Sequence, residues 1–238
     1  MKKLLFIFLS LATVFNSFAQ EKKKNKGLMS RTSDHFMVQL SNDHWVGVPD
    51  SIKNKMTGFA RGANIYIMMD KRFKANPQWG AAFGVGIGSS NIFFKNMNID
   101  IKAKANKLPF NVLDSLARFK KYKLATVFLE IPIELRFTLD PANESKSFKA
   151  ALGVKVGTLL NVHTKGKALL DKNGTAINSY TAKENGKGFF NSTRLAATVR
   201  VGYGNFSLFG SYQLNNIFKD GVASPIKLFQ VGLTFSGL

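Results

Sequence analysis

The stretch Val127-Phe128-Leu129-Glu130-Ile131-Pro132-Ile133-Glu134-Leu135-Arg136-Phe137-Thr138-Leu139 places an apolar residue at every second position. Between them stand Glu130, Glu134, Arg136 and Thr138. A period of two belongs to an extended strand whose two faces meet different surroundings. The apolar row, Val127 to Leu139, is longer than the usual soluble strand of about five or six residues needs. It suits a tilted strand crossing a bilayer, with the charged row turned into the lumen of a closed barrel.

Working outward, seven further strands are expected, giving an eight-stranded antiparallel up-and-down transmembrane β-barrel. They fall near 35–45, 59–69, 79–90, 148–161, 193–203, 206–214 and 226–235, with the quoted strand extended to 122–139. In the third, Ala81, Phe83, Val85 and Ile87 alternate with Gly80, Ala82, Gly84, Gly86 and Gly88. The connections alternate in length: 46–58 moderate, 70–78 shorter, 91–121 long, 140–147 short, 162–192 long, Gly204-Asn205 a two-residue turn, 215–225 moderate. Long extracellular loops alternating with short periplasmic turns are the pattern of such barrels. Trp45 and Tyr122 at the expected outer ends, and Trp79, Phe137, Phe148, Tyr203 and Phe206 at the inner ends, are expected to form interfacial girdles. A soluble lipocalin-like carrier would invert the faces. The glycine row would then weaken an exposed strand face, whereas in a narrow lumen it leaves room for neighbouring Glu and Arg.

The chain opens with Lys2 and Lys3, an apolar run from Leu4 to Phe15, and Ser17-Phe18-Ala19. This is the pattern of a cleaved secretory signal peptide over residues 1–19. A basic periplasmic segment is expected over 20–33 and the barrel over 34–238. Lys and Arg number 34 against 14 Asp and Glu, a net charge of +20, so removing Lys2 and Lys3 leaves +18. Export argues against nucleic acid as the partner of this charge, leaving general solvation of loops and tails, lipopolysaccharide phosphate at the bilayer edge, or a protein partner. With 0 cysteines, neither a disulfide framework nor a thiol site is possible.

Leu129-Glu130-Ile131-Pro132-Ile133-Glu134-Leu135-Arg136-Phe137 resembles the mid-barrel strand of PorT-like outer-membrane β-barrel proteins. Phe206-Ser207-Leu208-Phe209-Gly210-Ser211-Tyr212-Gln213-Leu214, Ile217-Phe218-Lys219-Asp220-Gly221 and Gln230-Val231-Gly232-Leu233-Thr234-Phe235 are similar to that family's last hairpin. The resemblance implies an eight-stranded barrel, porin-like in placement and inserted by the outer-membrane assembly machinery. It implies no enzymatic activity and no cofactor, and one branch is linked to type IX protein secretion.

The candidate chemistry lies in two places. Glu130, Glu134, Arg136, Lys155, Arg194 and Arg200 share the inner face if the strands pair in sequence, and are expected to neutralise one another as a plug. Pro132 is expected to bulge or bend its strand. Glu130 and Glu134 lie ~13 Å apart along a strand, too far for a glycosidase pair. The loop 91–121 carries Lys102, Lys104, Lys107, Lys120 and Lys121 as a basic patch, and Phe110, Val112, Leu113 and Leu116 with partly helical spacing. His44 and His163, with Asp43 or Asp50, are the only material for an outer-rim catalytic group, and no spacing singles out Ser41, Ser89 or Ser192 as a nucleophile. No metal site and no catalytic residue are expected. The leading expectation is a non-enzymatic barrel binding through its basic loops, with a secretion or assembly accessory as the alternative.

Overall fold

The computed structural model describes residues 33–57, 59–113, 117–171 and 173–236. The expected signal peptide and residues 20–32 of the basic segment lie outside the described residues, as do Asp114 and Leu116.

Among the described residues eleven strands form: β1 Ser33–Val46, β2 Arg61–Arg72, β3 Trp79–Phe94, β4 Met97–Ile99, β5 Phe110–Val112, β6 Arg118–Thr138, β7 Phe148–Leu170, β8 Ala176–Asn185, β9 Thr193–Tyr203, β10 Phe206–Gln213 and β11 Lys227–Ser236. Nine of them make one sheet in the order β6-β3-β2-β1-β11-β10-β9-β7-β8, and the extra β6–β7 pairing closes it. The eight strands from β6 round to β7 are therefore an antiparallel up-and-down barrel. β8 hangs outside that ring on the far end of β7, pairing from His163↔Asn185 to Leu170↔Ala176. The closing seam between the first and last strands runs from Met37↔Ser236 to Val46↔Lys227.

The faces are those of a membrane barrel. Ile131 and Ile133 are each 50% exposed, whereas Glu130 between their neighbours is 0% exposed. The same division holds on β2, where Ile65 and Ile67 are exposed and Asn64, Tyr66 and Met68 buried. An apolar exterior enclosing a polar interior is stable only where the exterior meets hydrocarbon. Among the described residues no helix is long and apolar enough to cross a membrane, so the crossing falls to these strands.

Much of the two long connections is strand. β6 begins at Arg118 and β7 runs to Leu170, so both rise past the ends expected at Tyr122 and Asn161. Phe110 and Val112, expected to have helical spacing, instead form β5, which pairs with β4 as a short hairpin. Pro132 does not bulge its strand: on the β7 side it pairs with Lys155 in register, and the shift occurs between Val127 and Phe128, where β7 carries the extra residue Leu160. On the β3 side the register continues from Phe83↔Ile133 to Gly86↔Glu130, with no pairing at Ile131 and Pro132. The lost proline donor thus costs ladder contacts on one side without moving the strand.

At the inner end the expected girdle faces outward, with Phe148, Tyr203 and Phe206 exposed and Trp79 against Phe137 at 5.2 Å. At the outer end the two expected girdle residues turn inward. Trp45 packs edge-on against Phe94 and Phe218, each at 5.7 Å, and the Tyr122 hydroxyl donates to the Ile99 carbonyl at 3.0 Å.

If the outward row of β6 meets lipid, Ile133→Arg, near mid-bilayer, lowers the folding free energy in phospholipid vesicles by about 2–4 kcal/mol, and Leu139→Arg at the inner edge by roughly 0–1 kcal/mol. Denaturant titration in vesicles measures both, and equal losses at the two positions would contradict the assigned depth.

Candidate functional site

The barrel interior has two layers, charged toward the periplasmic end and apolar toward the outside. The charged layer is built on the inward row of β6. Glu130 receives a hydrogen bond from the Tyr66 hydroxyl of β2, one from Arg194 Nη1 of β9 at 2.9 Å, and lies 3.7 Å from Lys155 Nζ of β7. Four residues along, Glu134 Oε2 accepts from Arg200 Nη2 at 2.8 Å and from Arg136 Nε at 2.9 Å. Arg136 reaches on to Asp70 Oδ2 at 3.5 Å. These eight residues, the six expected ones with Tyr66 and Asp70, lie close together because β6 sits between β3 and β7, and a lumen of eight strands is narrow enough for side chains to span it.

Glycine makes the space. A Cβ on Gly88 would stand 2.6 Å from Glu130 Oε2, and one on Gly157 3.0 Å from Glu130 Cγ. A side chain at either position would press on Glu130 and shift it from its partners, most directly at Gly88.

Tyr66 and Asp70 belong to this network and were not among the expected members. Their signal was present: both stand in the inward row of β2, opposite Ile65, Ile67 and Met69. The guanidinium of Arg194 marks the boundary between layers, pairing with Glu130 while its Cζ lies 4.0 Å from the Phe128 ring centroid.

Above Phe128 a second core closes the mouth. It draws on every outer loop: Ile52 from the helical turn α1 Asp50–Lys53, Met97 and Ile99 from β4, Phe189 and Phe190 before β9, and Ile217 and Phe218 before β11. These pack on Ile92, Leu124, Val162, Ile226 and Leu228 from the strand tops. The lumenal cavity under this cap is about 10 Å³, and that at the periplasmic mouth, lined by Asp70, Arg136 and Arg200, about 30 Å³. Each has room for about one or two waters, not a hydrated ion path.

The basic residues of the cap divide by strand geometry. Lys102, Lys104 and Lys107 are exposed between β4 and β5. Lys120 and Lys121 are neighbours on β6 and so lie on opposite faces, Lys120 on the side of Tyr122 and Lys121 on the outer side. The five expected patch residues are therefore not one surface. A cleft of about 190 Å³ between the β4–β5 hairpin and the inner face of β6–β8 is lined by Asp100, Glu184, Asn98 and Asn111, a lining that repels anions.

On the outer face the register sets Lys123 opposite Lys165 and Lys165 opposite Lys183, and in the next row Lys121 opposite Lys167. His163, one row below, is held under the usual imidazole range by burial and then by Lys183, Lys123 and Lys165. It is remote from His44, because β1 and β7 stand on opposite sides of the ring. Asp43 points inward, accepting hydrogen bonds from Ser41 at 2.5 Å and Gln230 at 3.0 Å. The rim therefore brings together no histidine pair.

The sequence matches the family model described as outer membrane protein beta-barrel domain over residues 18–219. Among solved structures it is similar to Ail, the attachment invasion locus protein of Yersinia pestis, crystallised with the heparin analogue sucrose octasulfate, at 13% identity, 86% of this chain, 97% of that chain and a TM-score of 0.37. It is also similar to Neisserial surface protein A, at 14% identity, 84% of this chain, 95% of that chain and a TM-score of 0.34. Among curated proteins, none matches. With the family model spanning most of the barrel, the chain belongs to the outer membrane protein beta-barrel domain family.

Proposed function

We propose that this barrel is non-enzymatic and non-conducting, and that it acts through its extracellular cap by binding anionic groups, those of lipopolysaccharide or of a protein partner. The observation that carries the reading is the double seal. A paired charge layer fills the inner half of the lumen and an apolar core fills the mouth, leaving the cap as the surface open to a partner. Charge supports the sign of the ligand, since basic residues outnumber acidic ones 34 to 14. The rim histidines, the one catalytic material the sequence offered, stand on opposite sides of the ring.

A second reading, an accessory of protein secretion or assembly at the outer membrane, is supported by the likeness of 129–137 and 206–235 to PorT-like barrels. Under it, deletion of the gene leaves secreted cargo in the periplasm, and an unchanged secretome counts against it.

For the principal reading, the purified chain in planar bilayers is expected to give no stepwise conductance; a reproducible open level would contradict the double seal. Its binding to lipopolysaccharide is expected to weaken as ionic strength rises from about 0.05 to 0.5 M, because exposed charge is screened over a Debye length of about 10 Å at 0.1 M. Salt-independent binding would point to an apolar contact instead. Removing the Glu130 carboxylate leaves two buried cations, Arg194 and Lys155, without their counter-charge. Glu130→Ala therefore costs about 3–5 kcal/mol of unfolding free energy, and a loss under about 1 kcal/mol would show that the pairing is not structural.

A further inference from the structure

The tops of β6 and β7, with β8 alongside, rise as a three-stranded sheet above the barrel. Its inner face covers the cap core through Tyr122, Leu124 and Val162, all buried. Its outer face continues the lipid-facing row of the same strands upward from Leu129 and Val127. On that outer face the lysines fall in two cross-strand rows, Lys123–Lys165–Lys183 and Lys121–Lys167. Neighbouring strands are about 4.8 Å apart and residues two apart along a strand about 7 Å, so five ammonium groups share one small patch. Like charges set directly opposite destabilise a sheet. Among the described residues no carboxylate forms an ion pair with any of the five; Lys123 Nζ bonds the Asn91 amide oxygen at 2.6 Å and sits over Phe93. Among the described residues nothing supplies the counter-charge of this face, which leaves it complementary to an anion.

Height narrows the source. Lys123 lies four residues above Val127, the last large apolar residue of the outward row of β6, or about 10 Å along the barrel axis for strands tilted near 40°. A phospholipid headgroup layer is only about 5–8 Å thick. A phosphorylated sugar headgroup, which extends farther from the hydrocarbon, reaches this height.

We propose, on the reading that the cap binds anions, that the outer face of β6–β7–β8 is a clamp for the sugar-bound phosphates of lipopolysaccharide in the outer leaflet, with Lys123, Lys165 and Lys183 as the lower row and Lys121 and Lys167 as the upper. The clamp faces sideways over the membrane, so its ligand is a lipid lying beside the barrel.

The test uses the refolded chain in detergent micelles titrated with fluorescently labelled lipopolysaccharide. Lys123→Gln/Lys165→Gln/Lys183→Gln is compared with Lys102→Gln/Lys104→Gln/Lys107→Gln, and circular dichroism checks that each variant is folded. At about fivefold per lysine near a charged surface, the outer-face variant is expected to bind roughly a hundredfold more weakly, and the loop variant within about threefold of the parent. Lipopolysaccharide stripped of phosphate is expected to bind the parent as weakly as intact lipid binds the outer-face variant. If the outer-face variant keeps full affinity while the loop variant loses it, the clamp is overturned but the cap remains an anion site. Equal binding of phosphate-free lipid, or full competition by millimolar inorganic phosphate, overturns the glycolipid as the ligand. If the parent binds no lipopolysaccharide at all, the reading beneath the clamp falls with it. Should the outer-face variant fail to fold, Lys165→Gln alone, expected near fivefold, decides the same question.

Discussion

Buried charge is the constraint on which the rest of the molecule depends. A barrel of eight strands has a lumen too narrow for bulk water, so the ionised groups on its inner face must be neutralised by one another. Glu130 meets that demand through Arg194, Lys155 and the Tyr66 hydroxyl, and Glu134 through Arg200 and Arg136. Their partners come from β2, β7 and β9, so the network ties together strands far apart in the ring. A pairing slip of one residue on any of these strands would turn its charges into lipid and its apolar row into the lumen. The network therefore specifies register as well as filling space. Gly88 and Gly157 follow from the same constraint, since Glu130 takes the volume their side chains would have.

The seal at the outer end obeys different physics. There the loops bury Phe94, Ile99, Phe190 and Phe218 around Trp45, a small apolar core of the kind found in soluble domains. The two layers meet at Arg194, whose guanidinium both pairs with the Glu130 carboxylate and lies over the Phe128 ring. A molecule closed in this way has its chemistry on its outside. The polar clefts of the cap and the lysine rows beside it are the surfaces that remain.

The strands were legible because a membrane barrel writes its two solvents into alternate residues. The row from Val127 to Leu139 located β6, and the alternation of connection lengths gave the order of the ring. The inner charges were legible for the same reason; Tyr66 and Asp70 were less so, because their inward row on β2 mixes them with Asn64 and the apolar Met68. The cap was not legible. Ile92, Phe94, Met97 and Ile99 fall in the connection expected over 91–121, and their packing with Phe190 and Phe218 depends on loop closure far away in sequence. Trp45 illustrates the ambiguity: an aromatic residue at a strand end suits an interface or a core equally, and only its inward register decides. The lysine rows were hidden likewise, because cross-strand neighbours such as Lys123, Lys165 and Lys183 come together only through the pairing of β6, β7 and β8.

The most direct test of the inverted barrel uses the absence of cysteine from the chain. Single cysteines at Val127, Leu129, Ile131, Ile133, Leu135 and Phe137, each carrying a nitroxide label, report contact with dissolved oxygen in lipid and with a water-soluble nickel chelate. The account predicts high oxygen access along the whole row, greatest near Ile131 and Ile133, with nickel access lowest there. Labels that are immobile and closed to both reagents would mean that this row faces a protein interior, and would contradict the account.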